Sequence, residues 1–216
     1  MKTKKIAVIL AGCGVYDGAE IHEATLTLYA ISKLGADYEI FAPDINQHHV
    51  INHLTGKEMN ETRNVLVESA RIARGKIKNI NELKAEEFDA LIFPGGFGVA
   101  KNLCDFAFKG PECNVIPSVA NVIKKMHSLN KPIGALCISP VMLAKVLGKA
   151  ELTIGKDQGT ASAIEKMGSK HIPVSQGEIA VDKENKIVTS PCYMLDSSIA
   201  QIGDGAFNLV KAILEL

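Results

Sequence analysis

The segment PIGALCISP, residues 132–140, places a single cysteine, Cys137, between an apolar run and a proline. The apolar run predicts a buried strand, and the residues after it predict a helix that begins near Pro140. Small residues, Ala135 and Ser139, stand two positions before and after the cysteine. A sharp strand-to-helix elbow needs such small neighbours, and the adjacent helix N-terminus is expected to lower the thiol pKa. The pattern favours a nucleophilic cysteine, and the alternative is a buried cysteine that only fills space.

A pair of glycines follows another predicted strand in the segment PGGFG, residues 94–98. The backbone N–H groups of Gly95 and Gly96 are then free to point at a developing oxyanion. The N–H group of Ile138, directly after the cysteine, is the natural further donor. The alternative is an ordinary strand-to-helix turn, so this motif gains its meaning from Cys137.

Acidic residues open the first predicted helix. Asp17 and Glu20 fit a capping box, with Asp17 as the N-cap residue and Glu20 at position N3. This pattern accounts for Glu20 but leaves Glu23, one turn further along the same polar stripe. The surplus carboxylate of Glu23 is predicted to exchange a proton with the Cys137 thiol. The alternative for Glu23 is a solvated acid in the first helical turn.

The charge balance argues against polyanionic partners. The 216 residues include 24 Lys and Arg and 24 Asp and Glu, and the basic residues do not form one long run. Nucleic acid and anionic membrane surfaces are therefore not expected as main partners. The N-terminal sequence MKTKKIAVIL has an apolar run too short for a signal peptide or a membrane span. We therefore expect a cytoplasmic protein.

The cysteines and histidines do not predict a metal centre or a disulfide framework. The five cysteines are odd in number, scattered and without a CxxC pair, and no HxxxH or HExxH spacing occurs. We expect no metal, and the four cysteines other than Cys137 are interpreted as filler. Two of them stand at predicted strand ends and are expected near Cys137, namely Cys13 and Cys192.

The order of predicted elements indicates an α/β fold built on a largely parallel sheet, and residues 1–216 are interpreted as one domain. The carboxyl ends of parallel strands meet at one edge, where ligands bind, so the three motif-bearing turns should lie together. Strands are predicted at 5–11, 37–43, 89–96, 131–136 and 152–155, with a small antiparallel hairpin at 177–191. Helices are predicted at 20–35, 62–73, 117–130, 139–147, 160–168 and 197–216, the first of them ending at Gly35.

The chain resembles the class I glutamine amidotransferase-like superfamily in LAGCGVYDGAEIHE, FPGGFGVAKNL and GALCISP, taken in this order. Within that superfamily it is similar to the ElbB-type glyoxalase branch, relatives of the Parkinson-associated deglycase and the PfpI-type proteins. GCGVYDG, NHLTG with ETRNVL, and ENKIVTSP carry this finer likeness. The resemblance implies a flavodoxin-like three-layer sandwich, a homodimer, no cofactor and an association with isoprenoid biosynthesis.

The same resemblance assigns roles to residues already singled out. The family's glutamate precedes the glycine that ends the first helix by twelve positions, which places it at Glu23 when counted back from Gly35. The cysteine at the elbow is Cys137, and the family's oxyanion pocket corresponds to Gly95 and Gly96.

The chain departs from the family pattern where relatives carry a histidine that can act as a general base. Many relatives carry a histidine on the strand after the elbow helix, and amidotransferases carry a late His-x-Glu pair. Here the corresponding stretches read LTIGKDQG and PCYMLDSS, without either. Glutaminase activity is therefore not expected, and proton transfer falls to Glu23, with Glu20 and Asp157 as further candidates.

The resulting hypothesis is a cofactor-free glyoxalase of the glyoxalase III type, a hydro-lyase acting on a small dicarbonyl. Methylglyoxal or glyoxal would become a hydroxy acid through a hemithioacetal on Cys137. The alternative hypothesis is a non-catalytic redox-sensing or regulatory protein that oxidises the same cysteine. A hydrolase or peptidase ranks last, because its base is missing.

Overall fold

The computed structural model describes residues 3–216; Met1 and Lys2, the start of the basic N-terminal stretch, lie outside the described residues. In chain order the strands are β1 (Lys5–Ile9), β2 (Asp37–Ala42), β3 (Ile51–Asn52), β4 (Lys57–Glu58), β5 (Lys78–Asn79), β6 (Ala90–Phe93), β7 (Ile133–Leu136), β8 (Glu151–Leu152), β9 (Lys170–His171), β10 (Ala180–Asp182) and β11 (Ile187–Ser190). The α-helices are α1 (Ile21–Lys33), α2 (Val65–Ile72), α3 (Phe106–Lys109), α4 (Pro117–Ser128), α5 (Pro140–Leu147), α6 (Gln158–Lys166) and α7 (Ile199–Glu215).

The main sheet of the described chain has seven strands in the order β10-β11-β7-β6-β1-β2-β5. Neighbouring strands from β11 to β5 pair in parallel, and β10 alone pairs antiparallel with β11. This is the flavodoxin-like α/β sandwich predicted from the sequence, including the antiparallel strand pair near the C-terminus. The order places β6, β7 and β11 side by side, so the turns after these strands meet at one edge.

Both faces of the sheet are buried, which explains why its strands read as continuous apolar runs. Along β1, Ala7 and Ile9 contact one core layer, whereas Ile6 and Val8 contact the other. The first layer is completed by helices α4, α5 and α6, and the second by α1 and α7. Among the described residues, no helix is long and apolar enough to cross a membrane.

Three local features differ from the sequence prediction. The predicted hairpin at 177–191 forms, but it is not separate from the main sheet, because β11 pairs with β7. The stretch after α5 gives only the short β8, which pairs with β9 in a separate two-stranded sheet. The polar segment between β2 and α2 contains a hairpin of β3 and β4 that the sequence analysis missed.

The two glycines inside α7 differ in the space around them. A Cβ at Gly203 would have Leu26 Cδ2 as its nearest neighbour at 3.9 Å. A Cβ at Gly205 would lie 2.7 Å from Ser190 Oγ, at the end of β11. Gly205 therefore allows α7 to pack closely on the sheet, and Gly203 does not serve that purpose.

We expect Gly203→Ala to raise the free energy of unfolding by about 0.5–1 kcal/mol, because alanine favours a helix interior. Gly205→Ala, the matched change two positions on, should lower it by about 1–3 kcal/mol, because the added methyl group overpacks the interface. Urea denaturation of the two variants measures both effects. Equal effects of the two substitutions would contradict this account of α7.

Candidate active site

Cys137 occupies a sharp elbow between β7 and α5. Its φ is +59°, a strained value for a residue other than glycine. Two hydrogen bonds hold this backbone: Cys137 N donates to Ser190 O at 2.9 Å, and Ser139 Oγ donates to Pro94 O at 2.8 Å. The elbow is thus hydrogen-bonded to the turns after β11 and β6. Cys137 has 8% of its surface exposed.

Glu23 lies against this thiol with no exposed surface. Its Oε2 accepts a hydrogen bond from Gly95 N at 3.0 Å, and its Oε1 accepts one from Tyr193 N at 3.2 Å. The Cys137 thiol makes a further hydrogen bond with the same carboxyl group. Burial raises the pKa of Glu23 to about 8, and the nearby charge of Glu20 also raises it. The hydrogen bonds to the carboxyl group act in the opposite direction. The structure therefore brings together Cys137 and Glu23, which were predicted from the sequence to exchange a proton.

The thiol pKa is shifted in the direction opposite to the prediction. Burial raises the pKa of Cys137 well above its ordinary value, and the charge of Glu23 raises it further. The N–H groups of Gly96 and Ile138 bond to the sulfur and oppose the shift. The expectation that the helix N-terminus lowers this pKa is wrong, because loss of solvation outweighs the helix dipole.

Cys137 and Glu23 form one coupled acid pair. Each carries a raised pKa, and the charge of Glu23 is itself a cause of the shift at Cys137. Removing the first proton therefore makes removal of the second more difficult. Above the pKa near 8, Glu23 has lost its proton, and the raised pKa of the Cys137 thiol keeps the remaining proton of the pair on the sulfur.

The glycines after β6 allow this close approach. A Cβ at Gly95 would overlap the Cβ of Cys137 and crowd Oε2 of Glu23 at 2.5 Å. Gly96 has φ +104°, and a Cβ there would collide with the backbone at the start of α1. The predicted oxyanion role of Gly95 changes, because its N–H group already binds Glu23. The N–H groups that face the sulfur belong to Gly96 and Ile138.

The start of α1 is built differently from the predicted capping box. Glu20, not Asp17, is the N-cap residue, and its side chain accepts a hydrogen bond from Glu23 N at 2.7 Å. Asp17 is buried and accepts from Ile51 N at 2.7 Å, so it holds the β3–β4 hairpin instead. Glu20 N also donates to Gly95 O at 2.9 Å. Glu20 thus fixes the helix that carries Glu23, and the capping box prediction is wrong.

The remaining candidate acid, Asp157, caps another helix. Its side chain accepts a hydrogen bond from Thr160 N at 2.7 Å at the start of α6. Hydrogen bonds from Thr160 also lower the pKa of Asp157. This cap accounts for the carboxylate without Cys137, so we do not assign it a proton-transfer role.

The stretch after the elbow helix, where the family pattern has a histidine, is closely packed. Leu152 and Ile154 of this stretch are fully buried in the core. Gly155 has φ +85°, and a Cβ there would lie 2.9 Å from Cγ and Cδ2 of Leu195. The stretch LTIG therefore has no room for an imidazole directed from Gly155.

One neighbour of the pair, Tyr193, was not assigned from the sequence. Tyr193 supplies an N–H group to Glu23, and its hydroxyl lies 2.8 Å from Nδ1 of His22 on α1. Cys192, expected nearby from its place at a strand end, lies close enough that the charge of Glu23 raises the pKa of its thiol, after burial. Both residues follow β11, which pairs with β7.

The location predicted for Cys13 is not supported. Its pKa is raised by burial and by Glu68, and the cations beside it are Arg71 and Arg63. These residues lie on or before α2, so the charges that act on Cys13 differ from those that act on Cys137.

A buried cysteine–carboxylate pair at the carboxyl edge of a flavodoxin-like sheet defines the class of protein. The sequence matches the DJ-1/PfpI family over residues 4–194, and the chain belongs to this family.

Several relatives cover nearly the whole chain. The rat ES1 protein homolog, mitochondrial, is 49% identical over 222 residues, which are 98% of this chain and 84% of the relative. The human glutamine amidotransferase-like class 1 domain-containing protein 3, mitochondrial, is also 49% identical, over 98% of this chain and 83% of the relative. An isoprenoid biosynthesis protein with an amidotransferase-like domain from Ehrlichia chaffeensis is 36% identical, with a TM-score of 0.91 over 98% of this chain and 99% of that chain.

These relatives overturn one prediction. Both mammalian proteins are named as mitochondrial, and this finding contradicts the cytoplasmic location predicted from the N-terminal sequence.

We expect Glu23→Gln to change how stability depends on pH. The carboxyl group has a pKa near 4.5 when unfolded and about 8 when folded. The folded state therefore holds the extra proton between these values, and wild-type stability falls as pH rises through them, by at most about 1.4 kcal/mol per pH unit. The amide variant loses this slope, so its stability relative to wild type should increase with pH.

Glu39→Gln is the matched control with the opposite sign. Lys78 and Lys5 lower the pKa of Glu39 through hydrogen bonds, so its stabilising contribution is lost as pH falls. Urea denaturation from below pH 4.5, where the contribution of Glu39 is lost, up to about pH 8 measures both variants. A difference between wild type and Glu23→Gln that stays constant would contradict burial as the dominant effect.

Proposed function

We propose that the protein is a cofactor-free glyoxalase of the ElbB-type branch, which converts methylglyoxal or glyoxal and water to a hydroxy acid. The contact between the Glu23 carboxyl group and the Cys137 thiol carries this proposal. A second support is the pair of N–H groups, from Gly96 and Ile138, that face the same sulfur. The Ehrlichia chaffeensis relative, named for isoprenoid biosynthesis, supports the choice of branch.

The first step adds the thiol to the aldehyde. The sulfur of Cys137 bonds to the aldehyde carbon, and the thiol proton passes through Glu23 to the aldehyde oxygen, giving a hemithioacetal. During this addition the oxygen develops negative charge. N–H groups beside the sulfur, those of Gly96 and Ile138, would stabilise it.

The second step moves a proton between two carbons. The Glu23 carboxylate removes the proton from the carbon bonded to sulfur and passes it to the neighbouring carbonyl oxygen, giving an enediol. Glu23 then takes the proton of the hydroxyl group on the sulfur-bearing carbon and delivers it to the neighbouring carbon. The product is a hydroxy thioester, so the aldehyde carbon is oxidised while the neighbouring carbonyl carbon is reduced. Water then hydrolyses the thioester and releases the hydroxy acid and the Cys137 thiol. The net reaction needs no external oxidant or reductant.

The narrow access to the sulfur favours a small substrate. Cys137 is 8% exposed and Glu23 has no exposed surface. A dicarbonyl of two or three carbons has few atoms beyond those that react. A peptide or other large substrate would need the elbow and the turn after β6 to separate.

The same burial weakens the alternative of a redox sensor built on Cys137. A sensor cysteine typically has a low pKa, whereas burial raises the pKa of this thiol. Aldehyde addition, unlike oxidation, can use the thiol proton, which Glu23 transfers. We therefore favour the glyoxalase over the sensor.

We expect the purified protein to convert methylglyoxal to lactate, and Cys137→Ala to abolish this turnover. Glu23→Gln should lower kcat by about 10²–10⁴-fold, as expected for loss of a general acid–base. Cys13→Ser, which removes a different thiol, is the matched control and should retain activity. An enzymatic lactate assay measures all four proteins, and full activity in Cys137→Ala would exclude the mechanism.

The activity should also rise with pH. Below the pKa near 8, the pair holds both protons, and Glu23 cannot remove a proton from the hemithioacetal. We expect kcat/KM for methylglyoxal to increase up to tenfold per pH unit below this value and then to level off. A kcat/KM that falls between about pH 6 and pH 8 would argue against the Glu23 carboxylate as the general base.

A further inference from the structure

Cys104 and Cys113 form a second pair of thiols. Both side chains are buried, with 2% and 0% of their surface exposed, and they lie close enough for each thiol to shift the pKa of the other. All five cysteines, including these two, are free thiols in the described structure. Both were interpreted as filler from the sequence, because the cysteines are odd in number, scattered and without a CxxC pair.

Two extended segments bring these thiols together. Cys104 forms an isolated antiparallel bridge with Val115. Beside this bridge, Asp105 N donates to Asn114 O at 3.1 Å, and Ile116 N donates to Leu103 O at 2.9 Å. The backbone is therefore fixed on both sides of the pair, and the segment between them closes as a loop.

The two thiols are chemically unequal. The contact between them raises the pKa of Cys104 and lowers that of Cys113. The ammonium group of Lys145 also lowers the pKa of Cys113, and this side chain is held by Pro111 O at 3.0 Å. Cys113 is thus the better nucleophile of the pair, and Cys104 keeps its own proton, which it donates to Val99 O at 3.3 Å.

We propose that Cys104 and Cys113 form a reversible intramolecular disulfide when the protein meets hydrogen peroxide. The Cys113 thiolate attacks one peroxide oxygen, giving a sulfenic acid and hydroxide, which takes up the proton that the thiol released. The sulfur of Cys104 then attacks the sulfenic sulfur, the S–S bond forms, and water leaves. Two thiols and one peroxide give one disulfide and two waters, and a thiol reductant reverses the change.

The segment that covers the pair can open locally. It consists of α3 and a following 3₁₀ turn, Gly110–Glu112, and residues 106–112 include no buried side chain. Helix α3 also lacks a side-chain hydrogen bond at its N-cap, and Phe108 on it is 48% exposed. Surface segments with few buried contacts open at low free-energy cost, which gives peroxide access to the thiols.

The pair also contacts the turn beside Cys137. Cys104 Sγ donates its proton to Val99 O at 3.3 Å, and Val99 N donates to Gly96 O at 3.0 Å. A disulfide has no S–H group, so oxidation removes this donor, while Val99 O keeps the hydrogen bond from Cys104 N at 3.0 Å. Oxidation therefore removes one contact to the short π-helical turn, Val99–Leu103, that follows the glycines of the site.

Trypsin allows a direct test, because it cleaves after Lys101, Lys109 and Lys124 and so separates the two cysteines. The native protein is treated with hydrogen peroxide, denatured in excess N-ethylmaleimide and digested without reductant. We expect peptides 102–109 and 110–124 to appear as one cross-linked species, which dithiothreitol removes. Recovery of both peptides in alkylated form, or a cross-link that appears only when denaturant precedes the peroxide, would overturn the proposal.

Matched variants separate this pair from the Cys137 site. Cys104→Ser and Cys113→Ser should each abolish the cross-link, whereas Cys137→Ala and Cys13→Ser should retain it. Loss of the cross-link in Cys137→Ala would instead assign the oxidation to the other site. The wild-type peptide result stands even if a serine variant fails to fold, and it is independent of aldehyde turnover.

The rate of proteolysis gives a second readout. Chymotrypsin cleaves after Phe106 and Phe108 only when their segment opens, and closing the loop should slow this cleavage about tenfold or more. Reduction should restore the rate, and Cys137→Ala should behave like wild type. A cleavage rate that does not respond to peroxide would contradict a disulfide that closes this segment.

Discussion

The structure depends on the burial of one carboxyl group. Glu23 has no exposed surface, and a buried polar group must find its hydrogen bonds within the protein. Its two N–H donors come from the turns after β6 and β11, and its third partner is the thiol after β7. One side chain on α1 thus joins the ends of three neighbouring strands. The strand order, the glycine at Gly95 and the strained backbone of Cys137 all serve to bring these partners within reach.

The same burial decides how the thiol reacts. A helix N-terminus stabilises a nearby negative charge by about 0.3–1 kcal/mol, whereas burial can shift a pKa by up to about 3–5 units, or several kcal/mol. Desolvation therefore wins at Cys137, although two N–H groups face the sulfur. At this site the Cys137 thiol keeps its proton and is not a thiolate at neutral pH. Its proton can be transferred to the neighbouring Glu23 carboxyl group. Cys113 shows the contrasting arrangement, in which a neighbouring thiol and Lys145 lower the pKa.

Much of the fold followed from the sequence, because strands buried on two faces appear as continuous apolar runs. The elbow at Cys137 was also predictable, since it depends on adjacent residues. Glu23 was found as a surplus acid and by its distance from Gly35, although the capping argument beside it was wrong. Asp17 serves the β3–β4 hairpin instead, and nothing local in the sequence reports such a distant contact.

The features that were not predicted also depend on contacts between residues distant in the sequence. Tyr193 reaches Glu23 because β11 lies beside β7, and a hairpin pattern alone does not reveal its place in the sheet. Cys104 and Cys113 lie beside an isolated bridge between Cys104 and Val115. Such a short bridge produces no periodic pattern in the sequence. The pKa shift of Cys137 also depends on burial, and the sequence revealed the helix N-terminus but not the loss of water.

The packing of Leu195 against Gly155 limits how this site can change during evolution. A side chain introduced at Gly155 would meet Leu195, and the backbone there has φ +85°, which glycine favours. Leu195 is itself only partly buried, so a shorter side chain at this position would open the space beside Gly155. A histidine at Gly155 therefore requires a second substitution at Leu195, and the backbone would still hold it at a positive φ. While this glycine–leucine contact is present, the site relies on its carboxyl group.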